Sequence, residues 1–176
     1  MTRKINFFEI CGFALVLGAA QGFSIAPHWA LIQLLSLAGI FFLFLYSSSV
    51  ARSTFLGFLF GLGWYSSSVY WIYFSIHDYG YQPAWVAGIA VVAFASLLAI
   101  FPAVAGLLSG LGLRDRSRKN WVFFLLITPA AWALTEWLRT WVLSGFPWAA
   151  GAYAHIEGPL SVFAPVIGAT GINYLA

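Results

Sequence analysis

Six apolar runs separated by short polar breaks occupy nearly the whole sequence: 7–23, 29–46, 54–76, 83–113, 121–142 and 160–176. At about 1.5 Å of rise per residue, each is long enough as a helix, or nearly so, to cross a hydrocarbon layer of about 30 Å. In such a layer the backbone must satisfy its own polar groups, which a helix does within one segment. The expected fold is therefore an all-α polytopic membrane bundle of about six transmembrane helices. Composition supports this: only 7% of the 176 residues are charged and 62% are hydrophobic, where a soluble domain carries about 25% charged residues. Eight Lys or Arg and five Asp or Glu are too few to coat a water-soluble surface of this size.

The basic residues sit between the runs, in alternate loops. Arg3 and Lys4 precede the first run, Arg52 separates the second and third, and Arg114, Arg116, Arg118 and Lys119 separate the fourth and fifth. Because Lys and Arg accumulate on the cytoplasmic side, the amino terminus is expected there. The opposite loops hold His28, then His77 and Asp78, then His155 and Glu157, with Arg139 the one basic residue near that side. The net charge of +3 thus reads as a topology signal and not as a nucleic-acid surface. Arg3 and Lys4 ahead of an apolar run resemble a secretory signal, but further runs follow, so the first is read as a retained span. Pro102 within the long fourth run leaves a tilt, a kink or a protruding helix end open.

Glycines four apart, at Gly18 and Gly22, Gly57 and Gly61, and Gly106 and Gly110, suit close approach of helix backbones. Ser47 to Ser49 and Ser66 to Ser68 are expected to bond carbonyls of their own or neighbouring helices. Cys11 is the sole cysteine, which excludes an intrachain disulfide, and it reads as a small buried hydrophobe. His28, His77 and His155 lack the spacing of a metal site. No Walker, nucleophile-elbow, zinc or dinucleotide signature is present.

Chemistry concentrates at the outer end of the fifth run. Glu136 and Arg139 have the spacing that places an acid and a base on one helix face. Two readings stand: a snorkelling arginine anchored by its neighbour, or a contact to a headgroup or substrate carboxylate. The following Gly145, Phe146, Pro147 and Trp148 combine turn-forming residues with aromatic ones, which predicts a rigid turn at the membrane surface. A second aromatic stretch runs from Tyr70 through Trp71, Tyr73 and Phe74 to His77 and Asp78. An ordinary polar loop is the default for that last pair.

The run from Pro129 through Trp132, Glu136, Trp137, Leu138 and Arg139 to Gly145, Phe146, Pro147 and Trp148 resembles the apolipoprotein N-acyltransferases of the bacterial inner membrane. FGLGW at 60–64, WIYFSI at 71–76, FPA at 101–103 and APVIGATGINYL at 164–175 extend the resemblance in the family's order. It implies transfer of an acyl chain from a phospholipid to the amino group of a lipoprotein's diacylglyceryl cysteine, the last step of lipoprotein maturation. It also implies a nitrilase-like carbon–nitrogen hydrolase domain after the membrane helices, whose Glu, Lys and Cys act through a thioester, without metal or dissociable cofactor. The sequence stops at Ala176, so that domain and its catalytic residues are expected beyond it. Cys11, Glu9, Glu136, Glu157 and Lys119 do not match the catalytic positions, and the fragment is expected to be inactive alone. Phospholipid donor, lipoprotein acceptor and membrane lipid are the implied partners, with Arg139, Trp148, Phe146, Trp71, Tyr73 and Glu136 as the candidate contacts. A small polytopic transporter or channel, or a noncatalytic lipid-binding subunit, is the alternative.

Overall fold

The computed structural model describes residues 6–112 and 121–176. Its elements, in order, are α1 (Phe7–Ile25), α2 (Ala30–Tyr46), α3 (Val50–Ser68), the short α4 (Trp71–Phe74) running into a π turn (Ser75–Tyr79), α5 (Ala84–Leu98), α6 (Ile100–Gly112), α7 (Trp121–Arg139) and α8 (Ala164–Leu175). Three 3-10 turns, Val142–Ser144, Gly151–His155 and Pro159–Phe163, link α7 to α8. Among the described residues there is no strand. Arg3, Lys4, Arg114, Arg116, Arg118 and Lys119, on which the orientation rests, lie outside the described residues.

Helix α3 is central, packed against α1 and α6 and touching α5 and α2. The paired glycines make this possible. A Cβ on Gly18 would lie 1.9 Å from the Phe60 carbonyl oxygen, and one on Gly57 would lie 2.3 Å from that of Pro102. The backbones therefore approach more closely than any side chain allows. Ser67 reinforces the α1–α3 seam, its hydroxyl reaching the Ala19 carbonyl at 3.2 Å as well as that of Gly63 in its own helix. Phe44, Phe60, Trp64 and Trp132 fill the core.

The outside of the bundle is apolar. Phe8 is 87% exposed and Val166 85%, and Leu31, Leu35, Phe42 and Val92 also face outward. Among the described residues two helical stretches are long and apolar enough to cross a bilayer, α1 and the 29-residue stretch Ala84–Gly112 that α5 and α6 share; Ala30–Tyr46 and Pro159–Leu175 are shorter apolar helices.

Helix ends differ from the apolar runs in ways local chemistry explains. The third helix begins at Val50, not 54, because extended Ser49 caps it by accepting from the Arg52 N–H at 3.3 Å. Arg52, expected in the loop, thus lies in the first turn of α3 with its guanidinium 5.0 Å above the Phe7 ring, a cation–π contact. The same helix ends at Ser68, not 76, and the aromatic stretch that follows turns separately as α4 and the π turn. In the long fourth run the helix breaks between α5 and α6 at Ala99, three residues before Pro102. Proline offers no N–H to the carbonyl four residues back and its ring crowds that carbonyl. Helix α8 begins at Ala164, not 160, and bends at Gly168, whose φ of 63° lies in the left-handed region.

Candidate functional site

At its carboxyl end α7 presents Glu136 and Arg139 inward. Their one-turn spacing brings the guanidinium and carboxylate together in a two-pronged pair, Nε to Oε1 at 3.1 Å and Nη2 to Oε2 at 3.1 Å. Arg139 is 1% exposed and Glu136 4%. The remaining nitrogen, Nη1, donates to the carbonyls of Phe146 and, at 2.6 Å, of Trp148. Tyr65 of α3 donates its hydroxyl to Glu136 Oε1 at 3.3 Å. The planar fork of arginine suits this division, with one edge on a carboxylate and one corner on two peptide carbonyls.

An aromatic floor lies beneath the pair. The guanidinium carbon is 5.5 Å from the Tyr65 ring centre and 6.0 Å from that of Trp64. Trp64 stacks on Tyr65 at 4.7 Å and on Trp132 at 5.8 Å. Favourable ring faces and matched hydrogen bonds offset the cost of removing two charges from water.

The arginine thereby fastens the turn that follows. Phe146 N–H returns to the Arg139 carbonyl at 2.8 Å, so backbone and side chain of one residue hold the same loop. Gly145 makes the reversal: its φ is 78°, and a Cβ there would lie 2.1 Å from the Thr140 carbonyl oxygen. Only glycine fits both conditions. Phe146 then packs edge-on against Phe94 of α5 at 5.1 Å, while Trp148 is 63% exposed. Beside Phe146 opens an apolar cavity of about 310 Å³ lined by Phe94, Leu98, Phe101, Leu138 and Val142 among others. Its size is at the lower end of the range of about 300–1,000 Å³ usual for small-ligand pockets.

The residues singled out in the sequence thus fall into two groups. Glu136, Arg139, Phe146 and the Trp148 backbone meet at one place. Trp71 and Tyr73 belong to α4; Trp71 is exposed, and Tyr73 packs on Phe74 at 5.6 Å and His77 at 5.4 Å. Arg139, read from the sequence as a snorkelling arginine anchored by its neighbour or as a contact to a headgroup or substrate carboxylate, is paired with that neighbour, Glu136, and faces the protein, its other donors taken by two loop carbonyls. His77 lies 3.9 Å from Asp78, with both side chains well exposed, and bonds the Gln82 carbonyl through Nδ1 at 2.8 Å. Cys11 packs against the core. No group of three or more His, Cys, Asp or Glu that could hold a metal exists among the described residues.

Tyr65 escaped the sequence reading, since nothing in its local sequence distinguishes it from other aromatic residues of the spans. The buried amides of Gln21, Gln33 and Asn173 also went unremarked. Polar residues deep in apolar runs are the signal that could have found them.

Fold and site define an all-helical domain with an apolar exterior, built around an inward ion pair that anchors an aromatic turn. The family model for the apolipoprotein N-acyltransferase N-terminal domain matches residues 12–176. The chain is 42% identical to the apolipoprotein N-acyltransferase of Chromobacterium violaceum over 92% of its length and 31% of the relative's. It is 40% identical to that of Ralstonia nicotianae over 93% of its length and 31% of the relative's. For that of Methylococcus capsulatus the figures are 39%, 92% and 32%. The chain belongs to the apolipoprotein N-acyltransferase family, whose N-terminal domain it carries, and it spans about a third of the length of these curated relatives.

Proposed function

We propose that the chain is the membrane-embedded part of a bacterial inner-membrane apolipoprotein N-acyltransferase, with about six crossings and a cytoplasmic amino terminus. Its part is to seat lipid substrates, the phospholipid acyl donor and the diacylglyceryl lipoprotein acceptor, beneath a carbon–nitrogen hydrolase domain. The transfer itself, through a thioester and then to the lipoprotein amine, is assigned to Glu, Lys and Cys of that domain. The chain alone is accordingly inactive. An exterior carrying Phe8, Leu31, Leu35 and Val166 supports a lipid surrounding, since water does not tolerate so much contiguous apolar surface.

The observation that carries the reading is the Arg139-anchored turn, which sets Phe146 at an apolar cavity and Trp148 outward. In this role Phe146 and the cavity receive acyl chain, Trp148, Trp71 and Tyr73 form the interfacial rim, and Arg139 with Glu136 holds the turn in register. A channel is not favoured, because Glu136 and Arg139 are spent on each other, on Tyr65 and on the turn, not on a water-filled path.

The test is acylation of a diacylglyceryl lipopeptide by the full-length enzyme containing this domain, in lipid nanodiscs of defined phospholipid content. Replacing Phe146 with Ala is expected to raise the phospholipid KM about tenfold, the loss of about 1.4 kcal/mol of binding. Kinetics unchanged across the phospholipid range would reject the assignment.

A further inference from the structure

The apolar cavity beside Phe146 has a direction. At one end Phe94 of α5 meets Phe146 of the aromatic turn edge-on at 5.1 Å, two residues before the exposed Trp148, a residue type suited to the membrane interface. At the other end stand Phe101 and Val104 of α6. Val104 lies ten residues beyond Phe94, about 15 Å of helix rise. A hydrocarbon layer is about 30 Å thick, so the cavity runs inward from the turn by the depth of one leaflet.

Shape and wall chemistry limit what it can hold. Spread over that length, a volume of about 310 Å³ leaves a mean section of about 20 Å². One extended hydrocarbon chain fits such a section, and a helix about 10 Å across does not. Among the described residues Thr135 and Arg139 are the only polar side chains on the wall, and both are engaged. The Thr135 hydroxyl donates to the Trp132 carbonyl at 2.9 Å, and Arg139 donates to Glu136 and to the carbonyls of Phe146 and Trp148. A phosphate or other charged headgroup would enter without a partner, at a heavy cost in lost hydration. Leu97, Ile100 and Val142 line the cavity and are also exposed on the outer surface, so it opens sideways into the lipid layer. What enters by that route is acyl chain, since no water lies there.

We propose that the cavity seats a single phospholipid acyl chain from the leaflet on the side of the turn, carboxyl end at Phe146 and methyl end at Val104, and that Val104 selects chain length. Resting on the acyl-seating role given above to Phe146, this arrangement adds an orientation and a length limit. A chain longer than the path from Phe146 to Val104 must fold back or leave methylenes outside, and each methylene that loses an apolar seat weakens binding. The headgroup stays outside the cavity, at the level of Trp148.

Two measurements on the full-length enzyme in lipid nanodiscs test this. In the first, a phosphatidylcholine carrying a diazirine at the methyl end of one acyl chain, or near its carboxyl end, is photolysed and the adducts are located by mass spectrometry. The methyl-end probe is expected on Phe101 or Val104, and the carboxyl-end probe on Phe146 or Leu138. Adducts outside the cavity, or the same adducts from both probes, would overturn the proposal. In the second, Val104→Trp, which shortens the path, is expected to lower kcat/KM for a dipalmitoyl donor at least about tenfold more than for the shorter dilauroyl donor. An equal change for both donors would overturn it as well. The labelling uses the unaltered enzyme and decides the matter even if Val104→Trp fails to fold. The acyl-seating role fails separately, through an unchanged phospholipid KM in Phe146→Ala.

Discussion

Arg139 holds its place through four hydrogen bonds, two to Glu136 and two to loop carbonyls, and a residue without its planar fork cannot make all four at once. Arg139→Ala leaves Glu136 buried beside Tyr65 with no counter-charge. Loss of one partner of a buried pair costs about 3–5 kcal/mol. Arg139→Lys keeps the charge but not the geometry and should recover only part of that loss. Thermal unfolding in mild detergent measures both, and a lysine variant as stable as the parent would show that charge alone suffices. His155 carries a different prediction. Burial holds its imidazole below the ordinary value of 6.5, so the folded state binds its proton less readily than the unfolded chain. Stability from this group is fully present above about pH 6.5 and is lost as pH falls through the folded value. The melting temperature should therefore fall as the pH drops below about 6.5, and His155→Gln should flatten that part of the profile. An identical slope in the variant would assign the fall to other groups.

At the scale of elements, the link from α7 to the aromatic turn depends on Gly145. Its left-handed φ and the 2.1 Å approach of a Cβ to the Thr140 oxygen penalise any other residue. Gly145→Ala is expected to cost of order 1–3 kcal/mol in backbone strain and to expose the bonds around Phe146 to protease while the helices stay folded. Limited proteolysis followed by mass spectrometry locates the cuts, and a resistant turn would contradict the account. Much of this element structure could be read beforehand. The glycine, proline and aromatic content of 145–148 announced a turn, and the glycine pairs announced close helix packing. The break at Ala99 was legible only as one of several effects of Pro102. The early start of α3 was not legible, since it depends on Ser49 adopting an extended cap while Arg52 finds the Phe7 ring on another helix.

For the molecule as a whole, the apolar exterior predicts that the chain stays with bacterial membranes through an alkaline carbonate wash and leaves them only in detergent. Recovery in the carbonate supernatant would refute a bilayer-embedded domain. Close helix packing sets a companion expectation: Gly18→Leu, whose Cβ would meet the Phe60 carbonyl at 1.9 Å, should part α1 from α3 and abolish cooperative unfolding. The sequence by itself determined the helical class and the apolar character, because run length and lack of charge are properties of local sequence and lipid or water judges them residue by residue. It also marked Glu136, Arg139 and the 145–148 turn, whose spacing along one helix end is local. Only the tertiary structure decided which way Arg139 faces, that Tyr65 completes its pair, and that Gln21, Gln33, His155 and Asn173 gather around Gly151. Those outcomes depend on which distant helices pack together, and a buried polar group's partner is chosen by proximity in space, on which spacing along the chain is silent.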